Sequence, residues 1–352
     1  MKIDENNILS SAKKAFQDSI SKVPFIRNIT FEPVSSDRDV KPDILVKLEL
    51  PESTVKILGE VKSQGQPRLA REAVNQLIRC KEVFRDSYGI FIAPYISEKA
   101  AEICRSEGIG YLDLSGNCLL SFDKVYIEKE GNPNKYLQKR DLRSLYSPKA
   151  ERILRVLLNN PGKNWKVQDL ADESDVSLGQ VSNVKKLLYN REWIFEEKSG
   201  LLLVDPKQLL DEWSENYNYQ KNEVREFYSL KGLNELEKSI AEYCKKSVKA
   251  YALTGFSGAA RLAPSVRYKK AITYISELQQ DLAIELSIKP VTSGGNLLVF
   301  SPYDDGVYYG KKEYDGIDVV SPIQLYLDLK GFRGRGEEAA EALYDQIIEQ
   351  QW

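Results

Sequence analysis

The period of apolar and polar positions changes several times along the 352 residues. Over residues 5–20, Ile8, Ala12, Ala15, Phe16 and Ile20 recur at three- and four-residue spacing, which predicts a helix with one buried side. DILVKLE (43–49) and TVKILGEVK (54–62) then alternate at period two around Pro51, Glu52, Ser53 and Thr54, as a hairpin does. A helix is expected at about 68–86, followed by the apolar run YGIFIAP (88–94), a helix at 97–107, and IGYLDLSG (109–116). An unbroken apolar run after a helix predicts a strand covered on both faces, so residues 1–130 read as an α/β domain.

Residues 131–147 are polar, and Gly131 and Pro133 mark a linker. Helical spacing returns over 148–206. A first helix (about 149–159) turns Ile153, Leu154, Leu157 and Leu158 inward and ends at Pro161-Gly162. A short helix at 167–173 carries Leu170 and Ala171. After a turn at Ser174-Asp175, Ser177 is placed to cap a third helix with the buried stripe Val181, Val184, Leu187 and Leu188. Trp193 to Leu203 reads as a hairpin turning at Lys198-Ser199-Gly200. The last segment, 217–352, is expected to open with a charged helix over about 220–247 and then to mix short strands and helices, an α+β domain. The whole is an α/β multidomain chain, as its length also predicts.

Composition narrows the function. With 42% hydrophobic and 29% charged residues the chain reads as globular. Neither a charged-then-apolar leader nor an apolar run near 18 residues is seen, so a cytoplasmic protein with no membrane segment is expected. Cys80, Cys104, Cys118 and Cys244 lie far apart and read as reduced, buried thiols. The absence of histidine excludes Ser-His-Asp and Cys-His triads and histidine-bearing zinc sites. Charge is uneven: Lys135 to Lys166 holds nine basic residues against two acidic, and Val167 to Asp205 four against eight. The basic stretch suits phosphate contact, or a solvated face.

The hairpin carries the candidate chemistry. With a loop at 51–54, Leu50 pairs with Val55 and Asp43 lies across from Lys62, and Asp43, Leu45, Lys47 and Glu49 share a face with Leu58, Glu60 and Lys62. Asp43 and Glu60 suit a hard cation such as Mg²⁺ or Mn²⁺, and Lys62 suits orientation of water or stabilisation of developing charge. Pro42-Asp43 followed by Glu60-Val61-Lys62, within this order of helix, hairpin, helix and strand, resembles the PD-(D/E)xK restriction-endonuclease-like superfamily over about 120 residues. By that resemblance Glu5, on the first helix, and Gln76, on the helix after the hairpin, are further site candidates. A solvated hairpin face, or a fold kept without cutting, is the other reading. Arg68, Arg71, Arg79 and Arg85 either hold phosphates or solvate the helix.

Residues 148–206 resemble the winged helix-turn-helix superfamily throughout. The exposed positions of the third helix, Ser177, Gln180, Ser182, Asn183 and Lys186, are of the types that reach base edges and phosphates from the major groove of double-stranded DNA. Lys166 and Arg155 are candidate phosphate contacts. A winged helix used for protein contact is the alternative.

TGFSGAARLAP (254–264) and VVSPIQLYLDLKGFRGRGEEAAEALYDQI (319–347) resemble the C-terminal domain of AbiEi-type antitoxins of type IV toxin–antitoxin systems. The resemblance implies a transcriptional regulator that binds the promoter of its own operon and opposes a nucleotidyltransferase-like toxin without stable contact. From the residues alone, Thr254, Gly255 and Gly258 either approach a phosphate or make a tight strand-to-helix turn. Arg333 and Arg335 among Gly331, Gly334 and Gly336 read as a mobile basic loop. No nucleotidyltransferase motif is seen. A metal-dependent endonuclease guided by the winged helix is the alternative function, and a homodimer is the expected way to read a two-fold operator.

Overall fold

The computed structural model describes residues 5–34, 40–136, 145–264, 267–276, 282–332 and 334–352, with side chains from Ile8 onward. They belong to two compact units, Met1–Lys139 with Tyr189–Glu192, and Arg140–Leu188 with Trp193–Trp352. Both mix helices and sheet, and among the described residues no helix is long and apolar enough to cross a membrane.

The first unit runs α1 (Glu5–Ile20), β1 (Asn28–Glu32), β2 (Ile44–Glu49), β3 (Thr54–Val61), α2 (Pro67–Val83), β4 (Ser87–Ala93), α3 (Glu98–Ser106), β5 (Gly110–Asp113), β6 (Cys118–Phe122) and β7 (Val125–Lys129). The strands form one sheet in chain order. β3, β4 and β5 are parallel neighbours, which requires crossover connections, and α2 and α3 supply them. The other pairings are antiparallel. Successive residues of a strand enter opposite cores. Ile44, Val46, Leu48, Ile90 and Ile92 pack with Phe16 of α1, whereas Leu45, Leu58 and Phe91 pack with Ala73 and Leu77 of α2 and Ala100 of α3. This two-sided burial is why YGIFIAP is continuously apolar.

The hairpin register differs from the one expected. Glu49 pairs with Thr54, Leu45 with Leu58 and Ile44 with Gly59. The loop is Leu50–Ser53, closed by the Leu50 amide donating to the Ser53 carbonyl at 2.9 Å. Leu50 is drawn into the core on the α1 side and so leaves the ladder one residue early. The pairing moves by two positions, so each strand keeps its faces, but Asp43 comes beside Glu60 rather than across from Lys62.

The second unit begins with α4 (Pro148–Asn159), α5 (Val167–Glu173), α6 (Leu178–Asn190), β8 (Ile194–Glu197) and β9 (Gly200–Leu203). β8 and β9 pair antiparallel, and Trp165 adds a bridge to Leu201 through bonds of 2.8 Å in both directions. There follow α7 (Pro206–Asn216), β10 (Glu223–Tyr228), α8 (Leu233–Lys246), β11 (Tyr251–Leu253), α9 (Gly255–Leu262), β12 (Ala271–Ile275), α10 (Leu282–Glu285), β13 (Lys289–Pro290), β14 (Leu297–Ser301), β15 (Lys312–Tyr314), β16 (Ile317–Val319), α11 (Pro322–Lys330) and α12 (Arg335–Leu343). Their sheet has the order β13-β10-β14-β12-β11-β16-β15. Proline at the start of α4, α7 and α11 suits a position whose amide has no helical partner.

The helix expected over 220–247 starts only at Leu233, because EVREFY (223–228) alternates at period two and forms β10 against β14. Segments 148–206, apart from Tyr189–Glu192, and 217–352, which the sequence separates, share this one unit. The four cysteines are free and buried.

Candidate functional site

The hairpin places Asp43, Glu60 and Lys62 at one end of β2 and β3. Asp43 is exposed and its Oδ2 accepts from the Val61 amide at 2.7 Å. Glu60 is buried and its Oε1 accepts from Lys62 Nζ at 2.8 Å. Burial pushes the Glu60 carboxyl above its ordinary value, the Lys62 hydrogen bond works against that, and the neighbouring Asp43 charge adds to it. Lys62 is also raised: burial alone would lower it, but the bond to Glu60 and the charges of Glu60, Asp43 and Glu72 outweigh that. Gln76 of α2 donates to the Lys41 carbonyl at 3.1 Å, two residues before Asp43. Glu5 opens α1, and its side chain lies outside the described residues. The oxygen donors of Asp43 and Glu60 fit a hard divalent cation that draws its remaining ligands from water and phosphate. Among the described residues no group of three or more His, Cys, Asp or Glu side chains converges. Glu72, which the sequence did not single out, joins the electrostatic field of Lys62 from α2, one helical turn before Gln76.

The second candidate surface is the start of α6. Ser177, Ser182, Asn183 and Lys186 are exposed and Gln180 is half-buried, while Val181, Val184 and Leu188 face the interior. Ser177 Oγ accepts from the Gln180 amide at 3.3 Å and so caps the helix. Lys166, at the N-cap of α5, is exposed. Lys185 is committed to Glu196 at 2.5 Å. The hairpin tip is held by Asn164, whose Nδ2 donates to Ser199 Oγ at 2.7 Å, and Lys198 stands exposed beside it. Leu178, also unremarked in the sequence, is exposed at the first position of α6. Its place outside the apolar stripe was the available signal.

Arg155 is not on this surface. It has 0% exposure, and its Nε and Nη2 donate to Gln324 Oε1 of α11 at 2.9 and 2.7 Å. Its guanidinium lies 5.1 Å from the Trp213 ring centre and 3.7 Å from Glu151 Oε2. A phosphate cannot reach it. The α4 position that suited a surface cation faces another helix, which periodicity alone does not reveal.

The glycines of TGFSGAARLAP serve packing. Gly255 has φ +52°, and a Cβ there would come within 2.8 Å of Ile272 Cδ1; one at Gly258 would come within 2.9 Å of Leu325 Cδ1. The stretch is a tight strand-to-helix turn. Of the expected mobile loop, Arg335 begins α12, and Arg333 lies outside the described residues. Asp328 of α11 is fully buried. Thr254 Oγ1 donates to it at 2.5 Å, Tyr217 at 2.8 Å, Tyr274 at 2.9 Å and Gln324 at 3.0 Å. Burial raises the Asp328 carboxyl against the pull of all four donors.

Residues 202–349 match a family described as "Transcriptional regulator, AbiEi antitoxin, Type IV TA system". This segment is AbiEi-like. It contains both stretches on which the resemblance rests, together with the Asp328 cluster and Gln324. The match supports an AbiEi-type regulator and stops short of the hairpin site and the three-helix segment. No curated protein and no solved structure matches the chain.

Proposed function

We propose that the protein is a DNA-binding transcriptional regulator of the AbiEi antitoxin kind, acting in the cytoplasm on its own operon and opposing a nucleotidyltransferase-like toxin. The observation that carries this is the adjacency of an AbiEi-like segment to three helices and a hairpin, in which Ser177 at the cap of α6 and Ser182, Asn183 and Lys186 along it are exposed and Gln180 is half-buried. We take α4 to β9 as a winged helix-turn-helix, with α6 entering the major groove and Lys166 and the Lys198 tip meeting phosphates. Serine, amide and lysine side chains at a helix start suit hydrogen bonding to base edges and backbone oxygens. A homodimer would place two such helices on a two-fold operator. A gel shift with the DNA upstream of its own gene, at low salt, tests this. Retention of that fragment over a scrambled one is expected, and equal binding to both would sink the regulatory reading.

The second reading is a metal-dependent endonuclease with a PD-(D/E)xK-type first unit. It rests on the meeting of Asp43, Glu60 and Lys62, with Gln76 close by. Asp43 and Glu60 would hold Mg²⁺ or Mn²⁺, which supplies an activated water when bound. Lys62, already charged beside both carboxylates, would face the phosphate, and Gln76 ties α2 to the segment before β2 that carries Asp43. Plasmid cleavage in Mn²⁺ that is lost in Asp43→Ala and in EDTA would establish it. Intact plasmid under all conditions would leave a nuclease-like fold without cutting.

A further inference from the structure

One short loop of the AbiEi-like segment reaches the three helices with three side chains. Asp304, nearly buried, accepts through Oδ1 from Arg152 Nε of α4 at 2.8 Å. The same guanidinium donates from Nη1 to Asp175 Oδ2 at 2.5 Å and to the Asp175 carbonyl at 3.4 Å. Asp175 is the turn between α5 and α6 and holds φ +50°, a left-handed helix end that Asp adopts readily and that the Val176 amide closes by donating to the Ala171 carbonyl at 3.0 Å. Two further bonds from one guanidinium tie this turn to α4. Tyr309 donates to Glu173 Oε1, at the end of α5, at 2.9 Å and accepts from Asn160 Nδ2 at 3.2 Å. Tyr303 donates to Glu151. The loop leaves no slack: a Cβ at Gly306 would lie 2.8 Å from both Arg152 Cγ and Asp304 Oδ1.

We propose that the 303–309 loop is a positioning element for α6, with Asp304 acting through Arg152 to hold the α5–α6 turn and so set how Ser177, Gln180 and Asn183 are presented to DNA. The AbiEi-like segment then controls DNA binding from behind the reading helix without touching a base. This rests on the DNA-binding reading for its output, but the buttress itself is a property of the protein alone.

Asp304→Asn separates positioning from simple charge. It keeps the side-chain shape and removes one negative charge, so electrostatics alone would tighten DNA binding. Positioning weakens it instead, by roughly tenfold, equal to about 1.4 kcal/mol. The dependence of affinity on salt stays unchanged, because no phosphate contact is lost. Affinity is read by fluorescence anisotropy on the upstream fragment. A second readout needs no DNA: exchange of the Val176, Gln180 and Val181 amides, which bond to Ala171, Ser177 Oγ and the Ser177 carbonyl, quickens by roughly tenfold in the variant. Should Asp304→Asn fold poorly, Tyr309→Phe removes the Glu173 and Asn160 bonds, with a smaller affinity loss of about twofold to fivefold expected at an unchanged melting temperature. Unchanged exchange, or unchanged or tighter DNA binding in a well-folded variant, overturns the proposal. If the wild type binds no DNA, the DNA reading fails by itself, and faster exchange in Asp304→Asn still upholds the buttress.

Discussion

Replacing Gln324 by leucine removes both its hydrogen bonds to a guanidinium that has 0% exposure, and also its amide donation to buried Asp328 at 3.0 Å and to Tyr217 at 2.9 Å. Hydrogen bonds to a charged group contribute about 1.5–3 kcal/mol each, and a buried charge that loses them keeps its desolvation cost. Arg155 keeps Trp213 at 5.1 Å and Glu151 at 3.7 Å, the latter beyond hydrogen-bond length, so partial compensation sets the expected loss at about 3 kcal/mol. Arg155→Met also costs about 3 kcal/mol, since it strands Gln324 Oε1 and takes the guanidinium from buried Glu151, which keeps the Tyr303 hydroxyl. In the double variant the pair disappears together, and the loss falls short of the sum by about 2 kcal/mol. Denaturant unfolding followed by tryptophan fluorescence reads this cleanly, because Trp165, Trp193, Trp213 and Trp352 all lie in the second unit. A double variant whose loss equals the sum of the singles to within about 0.5 kcal/mol would refute the coupling, and with it the view that α4 and α11 are joined through these two side chains.

Further outcomes are expected. Lys186→Ala should weaken binding to all DNA sequences alike and reduce the salt slope by about one, whereas Asn183→Ala should cost about 1–3 kcal/mol on the operator alone; titrations at two salt concentrations tell them apart. Gly255→Ala should destabilise the second unit by about 1–3 kcal/mol, since the new methyl meets Ile272 at 2.8 Å on a backbone of φ +52°, and a denaturation midpoint checks it. Burial pushes the Cys80 thiol up to about 11 and the Cys104 and Cys244 thiols up to about 12. They therefore stay protonated in the folded protein at pH values where the unfolded chain, with thiols near 9.0, ionises. Stability should fall as pH rises from 9 through this window, and at pH 8 a thiol reagent should react with these groups only after denaturant is added.

Much of the first unit was legible because its signals are local. Period two in β2 and β3, the apolar run of β4 and the amphipathic α1 each report burial of their own segment, and together they imply a parallel centre between helices. The same holds for Val181, Val184 and Leu188, which separate the inner from the outer side of α6. Residue types likewise picked out Asp43, Glu60 and Lys62, and the even parity of the register error kept all three on one face.

What the sequence withheld depended on partners distant along the chain. Leu50 left the ladder for a core that includes α1, and this moved Asp43 from Lys62 to Glu60. Arg155 looked like a phosphate contact because a basic residue on a helix normally seeks water; the arrival of Gln324, 169 positions later, together with buried Glu151 one turn before, made burial tolerable. Arg152 likewise found Asp304, 152 positions later, on a surface its own helix does not announce. Local spacing determines which side of an element is apolar, but whether a charged side chain on it ends in solvent or in a buried pair is decided by the surface that packs against it.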